Sequence, residues 1–153
     1  QQVLELMRER DLRDESAGLE EPTELPICVI GFTNNDRERI TVALRNAKVR
    51  TVELRQDVAW DSDAVKISTL ESAKGHEFYA VFIVGMKEGT MPIFLVEKED
   101  WKREASRLYV AMTRARDRLY LSYDIGGKYG PSPFLSLIQE NCNEYEWRGG
   151  KLV

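Results

Sequence analysis

TLESAKGHEFYAVFIVGMKEGTMP, residues 69–92, runs from a polar loop into an unbroken apolar stretch and leaves it through glycine and proline. Its centre, AVFIVGM (80–86), is far shorter than the roughly 20 residues a membrane span needs and too apolar for a strand with one wet face. It reads as a strand buried on both sides and closed by Gly85, Gly89 and Pro92. ICVIGFT (27–33) has the same character, and Asn34, Asn35 and Asp36 follow it as N-cap candidates for a helix to about Ala47, with Ile40, Ala43 and Leu44 inward. Short strands are expected at 50–55 and at 65–70, where VKISTL alternates. An amphipathic helix over about 102–117, a strand LYLSY (119–123), the turn-rich GGKYGPSP (126–133) and a last helix, FLSLIQENC, complete the order. Strands that alternate with helices and are too apolar to meet water predict a parallel α/β sheet.

Ahead of this pattern, QQVLELMRERDLRDESAGLEEP reads as a short charged helix running into a linker near Pro22. Val3, Leu4, Met7 and Leu12 form a thin apolar stripe, suited to docking on something outside the chain. The expected division is residues 1–23 as helix and linker, 24–142 as the domain and 143–153 as a tail. A chain of 153 residues, 42% hydrophobic and 31% charged, has enough apolar content for one core, and this composition excludes disorder, collagen and coiled coil for the whole. Cys28 and Cys142, with the single His76, make no standard zinc set and no disulfide framework, so a reducing compartment, the cytosol, is expected. The chain opens on Gln1 with nothing resembling a signal peptide, which suggests a piece of a longer protein.

A net charge of −4 argues against a general nucleic-acid coat protein, yet the charge is uneven. Residues 1–24 carry eight acidic side chains against Arg8, Arg10 and Arg13, whereas 102–118 carry Lys102, Arg103, Arg107, Arg114, Arg116 and Arg118 against Glu104 and Asp117. On a helix over 102–117, Ala105, Leu108, Met112 and Ala115 share one face, with Tyr109 at its edge. Arg103, Arg107, Arg114 and Arg118 then fall in a stripe on the other face, poor in acidic partners. A solvated face is the plain reading and a phosphate-bearing partner the functional one, because the planar arginine fork matches phosphate. The loop of residues 69–78 adds a second constellation. Gly75 permits close backbone approach to a phosphate, Lys74 brings positive charge, and Glu77 is an acceptor for a ribose hydroxyl or a metal-bound water. At the carboxyl end of a parallel strand, such a loop lies where α/β sheets bind ligands, although taken alone the K-G-x-E string is a weak signal and a plain connecting loop is the simpler reading.

Together these segments resemble superfamily 1 helicases of the UvrD/Rep/PcrA type. TLESAKGHEFYAVFIVGMKEGTMP is similar to their motif V, with its T-x-x-x-A-K-G-x-E-F core, and RLYVAMTRARDRLYL (107–121) to their motif VI, centred on Thr113-Arg114-Ala115. PSPFL (131–135) resembles the usual tail, and ICVIGFTNNDRERITVALRNAKVRTVEL resembles the strand–helix unit that opens the later half of the second RecA-like domain. The resemblance covers roughly 25–138 and implies a RecA-like, P-loop NTPase-type parallel sheet flanked by helices. It implies Arg114 as the arginine finger and Glu77, with Gly75, beside the nucleotide. Lys74, Thr69 and Ser72, together with Thr33 and Asn34, would face single-stranded DNA. ATP with Mg2+ would be held mainly by a first RecA-like domain, because this chain has no G-x-x-x-x-G-K-[ST] loop. Two positions depart from the family: Glu71 stands where relatives carry a histidine that approaches the strand, and Phe32 where many carry arginine. A RecA-like module that only binds a protein or nucleic-acid partner is the competing expectation.

Overall fold

The structure, a computed structural model, describes residues 1–18, 26–55, 63–93, 97–148 and 151–152. The expected linker near Pro22 lies outside the described residues. Five strands form one all-parallel sheet in the order β2-β3-β1-β4-β5: β1 (Ile27–Gly31), β2 (Thr51–Glu53), β3 (Val65–Ser68), β4 (Phe78–Val84) and β5 (Ala115–Ser122). Every residue of β1 is buried, as its β-branched run requires once both faces are covered.

On one face Cys28, Ile30, Phe78, Val81 and Ile83 pack with Leu108 and Ala111 of α3 (Trp101–Met112) and with Phe134. The other face, built on Ile27, Val29, Val65, Ile67 and Phe82, is covered by α1 (Gln2–Ala17) and by Ile40 and Leu44 of α2 (Asn34–Asn46). The apolar stripe of α1 therefore docks on the chain's own sheet. It does so through Val3 and Leu6, while Leu12 is 65% exposed. Arg118 ties α1 to the sheet edge through Glu9 at 3.1 Å.

Several elements differ from their sequence-predicted bounds. The cap of α2 is Thr33, whose hydroxyl accepts from the Asp36 amide at 3.1 Å while the Asp36 carboxylate accepts from the Thr33 amide. This closed capping box outcompetes the three residues that follow it. Ala43 is exposed, not inward. VKISTL alternates in sequence, yet Lys66 and Ser68 are both buried, with the Lys66 ammonium donating to the Ala64 carbonyl at 2.8 Å. Burial pushes the neighbouring Cys28 thiol up to about 12, with a Ser68 hydrogen bond and the Lys66 charge only partly opposing it. The expected helix over 102–117 ends at Met112, and Ala115–Ser122 joins the sheet instead. Pairing with β4 from Phe78 to Val84 satisfies a whole edge of backbone groups, which decides against local helical periodicity. The last helix shrinks to α4 (Pro133–Ser136) with a 3-10 turn at Gln139–Asn141, and a small antiparallel pair, β6 (Trp147–Arg148) and β7 (Lys151–Leu152), lies beyond it.

Candidate nucleic-acid and nucleotide interface

In a parallel sheet all strands share one carboxyl edge and one amino edge, and the candidate residues divide between the two. Gly31 pairs with Val84 and Ile30 with Ser68, so Phe32, Thr33 and Thr69 leave the sheet at its carboxyl edge. Phe78 pairs with Ala115, two residues before the level of Ile27, so Glu77 and Arg114 stand at the amino edge. The loop 69–77 starts at the first edge and ends at the second. Gly75 and Glu77 thus do not sit at the carboxyl end of a strand, as expected from sequence, but just ahead of β4.

At the carboxyl edge an open cleft is lined by Gly31, Phe32, Thr33, Thr69, Leu70, Glu71, Thr90, Met91, Glu104 and Arg107, among others. Gly31 is required there, since a Cβ on it would lie 2.8 Å from Arg37 Cγ and 3.2 Å from the Arg37 amide nitrogen. The Thr33 side chain is held within its capping box, donating to Asp36 at 2.7 Å. Asn34 accepts through its side-chain oxygen from Arg37 and is absent from the residues lining the cleft. Thr69 donates to the Ser72 hydroxyl at 3.1 Å and accepts from the Ser72 amide at 3.0 Å, folding the start of the loop into a turn.

Arg107 organises the charge in this cleft. Its Nη1 donates to Glu104 Oε1 at 2.7 Å, while Nε, at 3.0 Å, and Nη2 both donate to Glu71 Oε1. Glu104 is 2% exposed, and its Oε2 has no hydrogen-bond partner among the described residues. Partial burial alone would raise the Glu71 carboxyl, but the Arg107 hydrogen bond and charge, with help from the backbone and Thr69, hold it below the usual glutamate range. The same contacts, Glu71 first and Glu104 second, raise the Arg107 guanidinium. Glu71 is therefore not a bare carboxylate facing a strand. It is paired with an arginine 36 residues away.

The amino edge is differently furnished. The Phe78 amide donates to the Arg114 carbonyl at 2.8 Å, which sets Glu77 beside the turn that carries Arg114. Arg114 Nε donates to the Val110 carbonyl at 3.0 Å and Nη2 to the Thr113 hydroxyl at 3.2 Å, so the helix end itself orients the guanidinium. No carboxylate among the described residues pairs with it. The predicted arginine stripe is dissolved: Arg103 bridges Asp100, Arg107 bridges Glu71 and Glu104, Arg116 lies 3.9 Å from Asp117, and Arg118 crosses to Glu9 on the opposite sheet face. Among the described residues, Arg114 alone of these five arginines lacks a carboxylate. Lys74 and Glu77 are exposed, and Gly75 adopts φ +87° with open space around it. His76 lies near the Phe78 ring, at 6.2 Å between centroids.

Sequence reasoning missed the paired role of Arg107. The Glu104–Arg107 half was readable as an i, i+3 pair on a helix. The Glu71 half joins two distant elements and carries no local signal.

A five-stranded parallel sheet with helices on both faces, and motif-bearing loops at its strand ends, places the molecule in the RecA-like α/β class. The chain belongs to the UvrD-like helicase C-terminal domain family, whose model matches residues 20–125. It is 36% identical over 139 residues to DNA helicase II of Salmonella typhimurium LT2, covering 82% of this chain and 19% of that protein. The DNA helicase II of Escherichia coli K12 gives 35% identity over the same coverage, and the ATP-dependent DNA helicase PcrA of Bacillus subtilis gives 35% over 50% of this chain and 11% of its own length. The chain thus spans about a fifth of the helicase II relatives it matches. A solved structure, the C-terminal domain of a possible DNA helicase from Lactobacillus plantarum WCFS1, shares the fold at a TM-score of 0.52 and 23% identity, covering 88% of this chain and 71% of that one. Among the described residues no helix is long and apolar enough to cross a membrane.

Proposed function

We propose that this chain is the C-terminal motor half of an ATP-dependent DNA helicase or translocase, with residues 24–142 as the working unit. The observation that carries this reading is Arg114, a guanidinium without a carboxylate partner among the described residues, fixed at a helix end beside Glu77 in a segment whose other four arginines are all paired. A guanidinium with no carboxylate partner among the described residues fits a ligand that brings its own negative charge. In this reading Arg114 reaches the γ-phosphate of ATP held by the P-loop of a first RecA-like domain, Glu77 accepts from the ribose, and Gly75 lets the backbone come close. ATP supplies the free energy of phosphoryl transfer, and its magnesium belongs to the partner domain. Lys74 contacts the phosphates of single-stranded DNA, with Thr69, Ser72, Thr33 and Asn34 lining the path. Alternating closure of the two domains then ratchets the strand.

The chain alone is expected to show no DNA-stimulated ATP hydrolysis, because it lacks the loop that cradles the phosphates. Joined to its P-loop half, it should hydrolyse ATP, and Arg114→Ala should abolish most of that turnover. Robust turnover by the chain alone, or unchanged turnover of the joined variant, would contradict the assignment. One observation favours a module that binds without driving hydrolysis: Arg107, which lines the cleft with Thr33 and Thr69, is neutralised internally by Glu71 and Glu104. A joined protein that binds its partner but never turns over ATP would support that second reading.

A further inference from the structure

The two carboxylates that hold Arg107 are unequal. Glu104 is buried on α3 and takes only Nη1. Glu71 has a side chain 62% exposed, sits on the loop after β3, and takes the whole Nε/Nη2 edge of the fork. That edge opens on the cleft that Thr33 and Thr69 also line. Two parallel N–H groups in one plane match two oxygens of a phosphodiester as well as they match a carboxylate. Glu104 would keep the guanidinium in place and compensated if Glu71 swung out, and the exposure of Glu71 leaves it free to do so. Glu71 therefore occupies the position a phosphate would take.

We propose that the Nε/Nη2 edge of Arg107 is a subsite for one backbone phosphate of single-stranded nucleic acid, and that Glu71 is a built-in mask which the strand displaces on binding. This rests on the strand-binding reading given above and adds to it a regulated contact. The mask makes the carboxyl-edge cleft selective, since a ligand must outcompete a tethered carboxylate to enter.

The test is a binding titration of the 153-residue chain with a labelled single-stranded oligothymidylate at several salt concentrations. Glu71→Gln preserves shape and removes the competing charge. It should tighten binding by about tenfold at low salt, the scale of one charged hydrogen bond, and steepen the log–log salt dependence by up to about 0.7, because in the wild type the displaced carboxylate takes up a cation as the phosphate gives one up. Because Arg107→Gln alone would strand the buried Glu104, the control background is Glu104→Gln/Arg107→Gln, checked by a melting curve. In that background Glu71→Gln should gain nothing. An unchanged affinity and slope for Glu71→Gln, or a gain that survives without Arg107, overturns the proposal, the second outcome marking mere loss of negative charge. A gain seen with ATP in place of the strand, and not with the strand, overturns it too. Lys74→Ala separates the two levels: if it weakens binding while Glu71→Gln gains nothing, strand binding stands and the mask falls. No binding by either the wild type or Glu71→Gln removes both.

Discussion

The two edges of the sheet carry opposite treatments of charge. At the carboxyl edge Arg107 is held by Glu104 and Glu71, and Thr33 and Thr69 spend their hydroxyls on local turns. At the amino edge Arg114 is steered by a backbone carbonyl and a threonine hydroxyl, and Lys74 and Glu77 stand exposed. A charge compensated inside the fold contributes to packing; a charge left uncompensated and oriented is available to something else. The contrast between Arg107 and Arg114, seven residues apart, separates an arginine held between two carboxylates of the fold from one that no carboxylate among the described residues holds.

The largest expected effect lies at the amino edge. If the proposed P-loop half is supplied, Arg114→Ala should lower kcat of the joined protein by ~10³-fold or more, the scale of an arginine finger. Arg114→Lys should recover little, because an ammonium keeps charge and loses the fork. Steady-state hydrolysis with saturating single-stranded DNA checks both; a variant retaining more than about a tenth of wild-type kcat removes the role.

How much of this contrast was legible in the sequence varies by element. β1 and β4 are readable because their apolar runs demand burial on both faces, and the motif loops follow from their residue order. The second half of β5 is readable in LYLSY (119–123), whereas its first half, Ala115–Arg118, was hidden under arginines at 103, 107, 114 and 118, whose spacing imitates a helix face. Only pairing with β4, a long-range event, extends the strand back to Ala115. The Thr33–Asp36 capping box was present as a sequence signature, but the polar run behind it offered three rival caps. Lys66 could not be placed inside by pattern, since nothing local announces that both faces of β3 are covered. The Glu71–Arg107 pair spans two motifs and becomes visible only when α3 returns across the sheet.

Two glycines extend the comparison to packing. Gly31→Ala at the carboxyl edge must push against Arg37 and the start of α2, and should destabilise by about 1–3 kcal/mol. Gly75→Ala near the amino edge meets no atom within 4 Å and bears only the strain of its positive φ, about 1 kcal/mol. Denaturant melts of the two variants should keep that order; a reversed order would mean the crowding lies elsewhere.

Smaller effects follow from single charges. Lys74→Ala should shift strand affinity a few-fold and lower the salt slope by about 0.7, corresponding to one phosphate contact. The carboxyl of Glu71 is held below the usual glutamate range in the folded chain, so its stabilisation is present above its unfolded pKa and is lost as pH falls through the lower folded value. Its exposure keeps the effect below about 1 kcal/mol. Acid titration of stability should therefore be slightly shallower in Glu71→Gln, and an identical profile would contradict the pairing.

The comparison stands or falls on the thermal melting of Arg107→Ala against Arg114→Ala in the 153-residue chain. Removing Arg107 leaves Glu104 buried and uncompensated, which costs about 3–5 kcal/mol and lowers Tm by roughly 6–15 °C in a chain this size. Removing Arg114 takes away a side chain that no carboxylate depends on, and Tm should stay within about 2 °C of wild type. Equal shifts, or a larger loss for Arg114→Ala, would contradict the division between an arginine on which buried Glu104 depends and one on which no carboxylate among the described residues depends.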